Sequence, residues 1–423
     1  MPKAKTDPGT NVSVAGGIKP QTNRYYAKVA ALYRTAAAVT AVCLVFFCMV
    51  VLAVGSEYIT YDNLTYLARD FDLTIRSEGE TAAVISYPRH ESMKFAPFKT
   101  GMAVAGSDVL TIFDSGGIVL SEDTLNYSTP CMDASEKYVL TYDLGGKDYA
   151  VYNTLTRVIR RTTDFKIICA DMSDCGAFAL VTRSNETKYV VELYNEALNH
   201  TMSVYKDHYV MDAAVRDDGE RLVIVSAIPG QTDFGCEVSL CAEGEAEPLM
   251  TASFGGLMPL DAAFHPDGSI SVICDGAVLF FDKDGNQTER FSLSGMTLVS
   301  ADMKNGYVAL LGAENALGSE NRVVVLDHTG KTLLSQMYRE RMQQVCVTRE
   351  SDTDPLCAVL TPGAVLSMNE NGVTDTCLLD DDDVLTIRQT TGGVMICTKD
   401  CMYPAVFDED IMTETIDGEG GAA

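Results

Sequence analysis

Asp133, Asp171, Asp212, Asp261 and Asp302 each open a short apolar segment, and they lie 38, 41, 49 and 41 residues apart. Carboxylates that return at such an interval have two chemical uses. Facing a common space, they form a ring that attracts cations or shares protons. Hydrogen-bonded to nearby backbone, each holds its own turn. A residue that recurs with a repeat usually serves the repeat, which favours the structural use. Small residues follow them, namely Ala134, Ala213, Ala214, Ala262 and Ala263, as strands crowded around an axis require.

The other reactive side chains do not assemble into a motif. His90, His200, His208, His265 and His328 lack metal-ligand spacing, and His265 sits in an HPDG turn. Asp282-Lys-Asp-Gly-Asn286 opens like a calcium loop, but Leu293 holds the twelfth position, where an acid is required, so a hairpin turn accounts for it better. Thr329-Gly-Lys-Thr332 matches the tail of a phosphate-binding loop, yet Val325 stands where its first glycine belongs. The acidic run Asp380 to Asp383 reads as a solvated loop. Of 13 cysteines, the 11 beyond residue 54 are odd in number and irregularly spaced, so most read as buried thiols. Cys236 with Cys241, and Cys397 with Cys401, are near enough in sequence for hairpin disulfides and stand as minor alternatives. No catalytic residue, cofactor-binding residue or metal ligand, and hence no cofactor, emerges from these patterns.

The elements that position these residues begin with an anchor. Thr35 to Val54 carries no charge over about 20 residues, the helical length that spans a bilayer. Lys3, Lys5, Lys19, Arg24, Lys28 and Arg34 precede it against Asp7 alone, while Glu57, Asp62 and Asp70 follow. The positive-inside rule then puts the N-terminus in the cytoplasm and the rest of the chain outside it. A cleaved signal peptide ending near Ala53-Val54-Gly55 is the competing reading, and the length of both the apolar run and the basic segment weighs against it. The expected organisation is a disordered basic tail over 1–34, a transmembrane helix over 35–54 and a juxtamembrane segment over 55–80, with Leu64, Leu67 and Phe71 on one helical face. A globular domain over 81–407 and an acidic disordered tail over 408–423 complete it. The formal net charge of −27 excludes nucleic acid as a partner, since phosphate binding needs clustered Lys and Arg.

Within the domain, apolar runs are short and bounded by Gly, Asp, Asn or Pro, the signature of strands and turns. Each Asp-headed segment continues through further short strands and turns such as DKDGN and DHTGK. Four strands per repeat of about 40 residues is the β-propeller period. Counting from about residue 93 gives seven full units and an incomplete last one, whose missing outer strand Thr81 to Tyr87 can donate. The fold class is therefore all-β, a single β-propeller of about eight four-stranded blades, with seven as the alternative.

The basic tail, the anchor, the segment YDNLTYLxRDFD beginning at Tyr61 and the FDSGG, FDKDG and LDHTGK turns together resemble a known type. They are similar to the membrane-anchored β-propellers of Firmicutes grouped as domain of unknown function family 5711, with WD40-like and quinoprotein-like repeats. The resemblance runs from about Tyr58 onward and implies a fold and a cell-surface address, but transfers no activity and no catalytic residues. Quinoprotein repeats carry a Trp after the Gly-Lys turn, and this chain has none, which sets aside a quinone-dependent dehydrogenase. The expected function is a membrane-tethered binding or scaffolding module that engages an envelope protein or polymer, with the lipid bilayer as its other partner. The alternative is an extracytoplasmic hydrolase or lyase acting on an envelope polymer.

Overall fold

In the computed structural model, the structure describes residues 84–407 except 231–232, 246, 350–353 and 380–382, together with residues 32–33, 39–46 and 49. Residues 39–46 and 49, within the expected span, are helical and exposed. Among the described residues no helix is long and apolar enough to cross a membrane. The rest of 35–54, nearly all of the 1–34 tail, the juxtamembrane segment and the 408–423 tail lie outside the described residues.

From Ile85 to Pro404 every described element is a strand, and the strands form eight four-stranded antiparallel sheets. In seven of these blades the strands follow one another in chain order. The inner strands of blades 1 to 8 are Lys94–Phe98, Pro130–Ala134, Ile167–Met172, Tyr209–Val215, Pro259–Phe264, Thr297–Lys304, Gln344–Val347 and Val384–Thr390.

Blade 5 shows why these sequences stack into a ring. Its second and third strands, Ile270–Cys274 and Ala277–Phe281, are buried on both faces and are accordingly apolar throughout. Side chains alternate along a strand. Ile270, Val272, Cys274, Leu279 and Phe281 therefore pack toward blade 4, while Ile273, Val278 and Phe280 pack toward blade 6. The outer strand, Gln287–Ser292, meets solvent and is polar. Eight apolar clusters result, one between each pair of neighbouring blades, including blades 8 and 1. At roughly 1.5–3 kcal/mol for each large side chain fully buried, these interfaces are the main cohesion of the ring.

The ring closes as the repeat count requires. Ile85–Ser86 forms the outer strand of blade 8, pairing with Cys401–Pro404 through Ile85 opposite Met402 and Ser86 opposite Cys401. The Tyr87 N–H donates to the Asp400 carbonyl at 3.0 Å. Its hydroxyl donates to the carbonyls of Thr398 and Cys401 at 2.9 and 2.7 Å. Arg89 adds an ion pair with Asp400 at 2.7 Å.

Candidate functional site

An innermost strand has no strand beyond it, so its axial N–H groups need other acceptors. The recurrent aspartates supply them across blade boundaries. Asp133 accepts the N–H of Met172 at 2.7 Å, Asp171 that of Val215 at 2.8 Å and Asp302 that of Val347 at 2.7 Å. In each case the donor lies on the next blade's inner strand. A second tier, two residues nearer the start of the strands, follows the same rule. Asp212 accepts the N–H of Ala262 at 3.1 Å, Ser300 that of Val345 at 3.3 Å and Gln344 that of Ile387 at 3.0 Å. Both expected uses of the carboxylates are thus modified, because they line the axis and also hold backbone, but the backbone they hold belongs to the neighbouring blade. The register leaves room for only small side chains beside them, and Ala213, Ala214 and Ala262 are buried.

Burial raises the proton affinity of four of these aspartates. Burial, partly offset by N–H bonds from Met172 and Ala134, pushes Asp133 up to about 6. Burial and the charge of neighbouring aspartates push Asp171 and Asp212 well above the usual carboxylate range, and burial raises Asp261 as well. The carboxyl groups of Asp212 and Asp261 interact, which adds to the upward shift of Asp212 and offsets part of that of Asp261. Asp261 is surrounded by protein yet exposed to solvent within the channel, so a solute meets it directly. For recognition, that exposure outweighs the local density of protein around it.

A cavity of about 280 Å³ on the axis is lined by Asp133, Asp302, Lys304 and Arg388. A second, of about 700 Å³, occupies the mouth where the inner strands end, with Lys99, Lys304 and Asn305 facing Glu136 and Asp174. Lys99 and Asn305 both adopt left-handed backbone, with φ of 57° and 53°. Asn305 with Gly306 makes a two-residue hairpin turn in which both residues need positive φ. A third cavity of about 430 Å³ holds His265, His328, Asp267, Asp327 and Arg349. His265 is buried against the Ser271 hydroxyl at 2.6 Å, and burial holds it down at about 4.

The remaining sequence candidates resolve as local structure. Asp282 and Asp327 each accept N–H groups of their own turns, in both the calcium-like and the phosphate-loop-like string. Asp383 pairs with Lys399 and Arg89, while 380–382 lie outside the described residues. Cys236 and Cys241 lie on one strand, Phe234–Ala242, not across a hairpin, and both are free, as are Cys397 and Cys401. Burial raises Cys397 to about 12, which makes it an inert thiol. Among the described residues no group of three or more His, Cys, Asp or Glu could hold a metal ion.

Sequence reasoning missed the mouth where the inner strands begin. In blades 3, 4, 5, 6 and 8 the pairing of the inner strand slips by one residue at its start. The residues set out of register are Ile168, Met211, Leu260, Val299 and Leu385, all apolar. A common apolar residue shortly before the tier residues was the available signal.

The C-terminal WD40 domain of Sif2 is similar in fold over 78% of this chain and 99% of that one, at 13% identity and a TM-score of 0.54. Sqt1 from Chaetomium thermophilum, bound to the N-terminus of a ribosomal protein, is similar over 77% and 100%, at 12% identity and 0.52. These likenesses are of fold alone. No curated protein matches the chain in sequence. A family model does match, over residues 76–351, which is more than half of the chain and runs from before the closing strand into blade 7. The chain therefore belongs to the family of unknown function DUF5711.

Proposed function

We propose that this protein is a binding or scaffolding propeller, tethered by residues 35–54 to the cell membrane and displayed outside the cytoplasm at the cell envelope. The observation that carries the binding reading is the division of labour along the axis. Of the four raised carboxyls that a catalyst would use, Asp133, Asp171 and Asp212 are committed to backbone N–H groups of the next blade. Leu260, Val299 and Leu385, where the inner strands begin, are exposed. Uncharged residues flanked by Lys28 and Arg34 on one side and Glu57 and Asp62 on the other support the tether and its orientation. The similar Sqt1 propeller holds a protein terminus, the kind of occupant we infer for this ring. The hydrolase or lyase alternative draws on the Asp212–Asp261 pair, two interacting carboxyls with raised proton affinity, of which Asp261 is exposed.

A membrane-impermeant crosslinker applied to intact cells is expected to join the full chain reproducibly to one envelope protein or polymer. A chain out of reach of the reagent would remove the extracytoplasmic placement. Turnover of a cell-wall polymer by the purified protein would put the hydrolase in place of the binder.

A further inference from the structure

The slipped strand starts are not a demand of the fold, since blades 1, 2 and 7 pair their inner strands without a slip. A bulge of this kind turns one side chain out of the pleat. Blades 5, 6 and 8 use it to expose an apolar residue where the inner strands begin, with Leu260, Val299 and Leu385 43%, 46% and 43% exposed, whereas Ile168 of blade 3 packs against the cluster between blades 3 and 4. Asp212 and Asp261 come directly after Met211 and Leu260, so two carboxyls stand just inside the apolar arc. Asp261 accepts the N–H of Ala262 at 2.9 Å, on its own strand, lies beside the Asp212 carboxyl and is exposed.

We propose that this mouth docks a segment of a partner protein in which one lysine or arginine is flanked by large apolar residues. The cation meets Asp212 and Asp261 while its apolar neighbours cover Leu260, Val299 and Leu385. Charge complementarity selects this occupant. An acidic chain of net charge −27 repels phosphate and anionic lipid, and a purely apolar segment would cover the Asp212–Asp261 pair without giving its negative charge a partner. The assignment rests on the binding reading above and gives that site its partner class.

The protein has no Trp, so a Trp-bearing peptide reports its own burial. The probe is Gly-Ser-Leu-Trp-Lys-Leu-Ser-Gly, titrated with the full-length chain in zwitterionic nanodiscs, with empty discs as the blank. A saturable blue shift of the peptide emission is expected. It should weaken at least tenfold with Leu260→Asn, Val299→Asn or Asp261→Asn in the protein, or with Lys→Gln in the peptide, and Lys→Glu should abolish it. The protein positions are exposed, and unchanged unfolding midpoints establish that each variant is folded. The assignment is overturned by the absence of a saturable shift, by equal affinity for the Lys and Glu peptides, or by Leu260→Asn and Val299→Asn variants that bind normally. Self-association of the chain that blocks the peptide, read by light scattering, would give the mouth to a second copy and overturn it as well. Crosslinking on cells reads the broader binding proposal independently, so the two can fail separately.

Discussion

Asp133 holds its proton because the channel wall disfavours the anion more than the N–H groups of Met172 and Ala134 favour it. An aspartate in an unfolded chain ionises near pH ~3.9, whereas this one does so at about 6. Between those values the folded state binds more protons, so the contribution of Asp133 to stability is complete below the lower value and lost as pH rises through the upper one. Asp171, Asp212 and Asp261 shift in the same direction. Asp218 beside Arg216, and Asp400 beside Arg89, shift down, and their contributions disappear only as pH falls below the usual carboxylate range. The calorimetric midpoint should therefore rise as pH is lowered from about 8 to about 5, then fall in stronger acid. Asp133 should supply about 1–2 kcal/mol of this, or a few degrees, after allowing for water in the channel. Asp133→Asn keeps an amide oxygen for the Met172 N–H and should flatten the slope between pH 5 and 8. A midpoint that climbs steadily from pH 5 to 8 would rule the account out. The recurrence of these aspartates was plain in the sequence, but their role was not. Each partner N–H lies 39 to 50 residues further along the chain, and aligning by residue type hid the two-residue offset between tiers.

The weakest element of the ring is the strand that closes it. Ile85–Ser86 makes two register pairs, compared with six or seven between the first two strands of the slipped blades 4 and 6. Its hold depends on Ile85 and Tyr87, both buried in the cluster that joins blades 8 and 1. Ile85→Ala should cost about 2–4 kcal/mol through the cavity left behind. Tyr87→Phe should cost about 1–2 kcal/mol for the hydroxyl bonds to Thr398 and Cys401. By hydrogen exchange, amides of Gly393–Thr398 and Cys401–Pro404 should lose protection while those of Arg221–Pro229 in blade 4 keep it. Equal loss in every blade would show that the closing strand is not a local weak point. This closure could be read from a count of strands, because seven complete units left the last one short. The slipped starts could not, since the inserted residue shows only as a break in alternation at the end of a short strand, as in Leu260 and Asp261, both exposed in succession. Blade 4 hid a similar feature, as its nine-residue strand Phe234–Ala242 places Cys236 and Cys241 on one element where the sequence allowed a hairpin between them.

For the whole molecule, the decisive asymmetry is electrical. Six basic residues precede Thr35 against a single acid, while the chain as a whole carries −27, so the ring and its flanks hold all of the negative excess. Lys and Arg on the short N-terminal side resist translocation, whereas acidic residues on the long C-terminal side hardly oppose it. On the proposed tether, these flanks set the orientation with the N-terminus inside. Leu317 is 90% exposed on the ring and provides a reporter for the far side. Leu317→Cys should react with a membrane-impermeant maleimide on intact cells, measured against the unsubstituted chain, whose ring cysteines are buried or half-buried. Asn11→Cys should react only after the membrane is permeabilised. Reversed labelling would give the ring to the cytoplasm. Exchanging Arg24, Lys28 and Arg34 for Glu, with Glu57 and Asp62 for Lys, should reverse the labelling of the two reporters. If both reporters keep their sides, something other than flanking charge orients the chain; if neither reacts on intact cells and the chain leaves the membrane in alkaline carbonate, residues 35–54 are not a span.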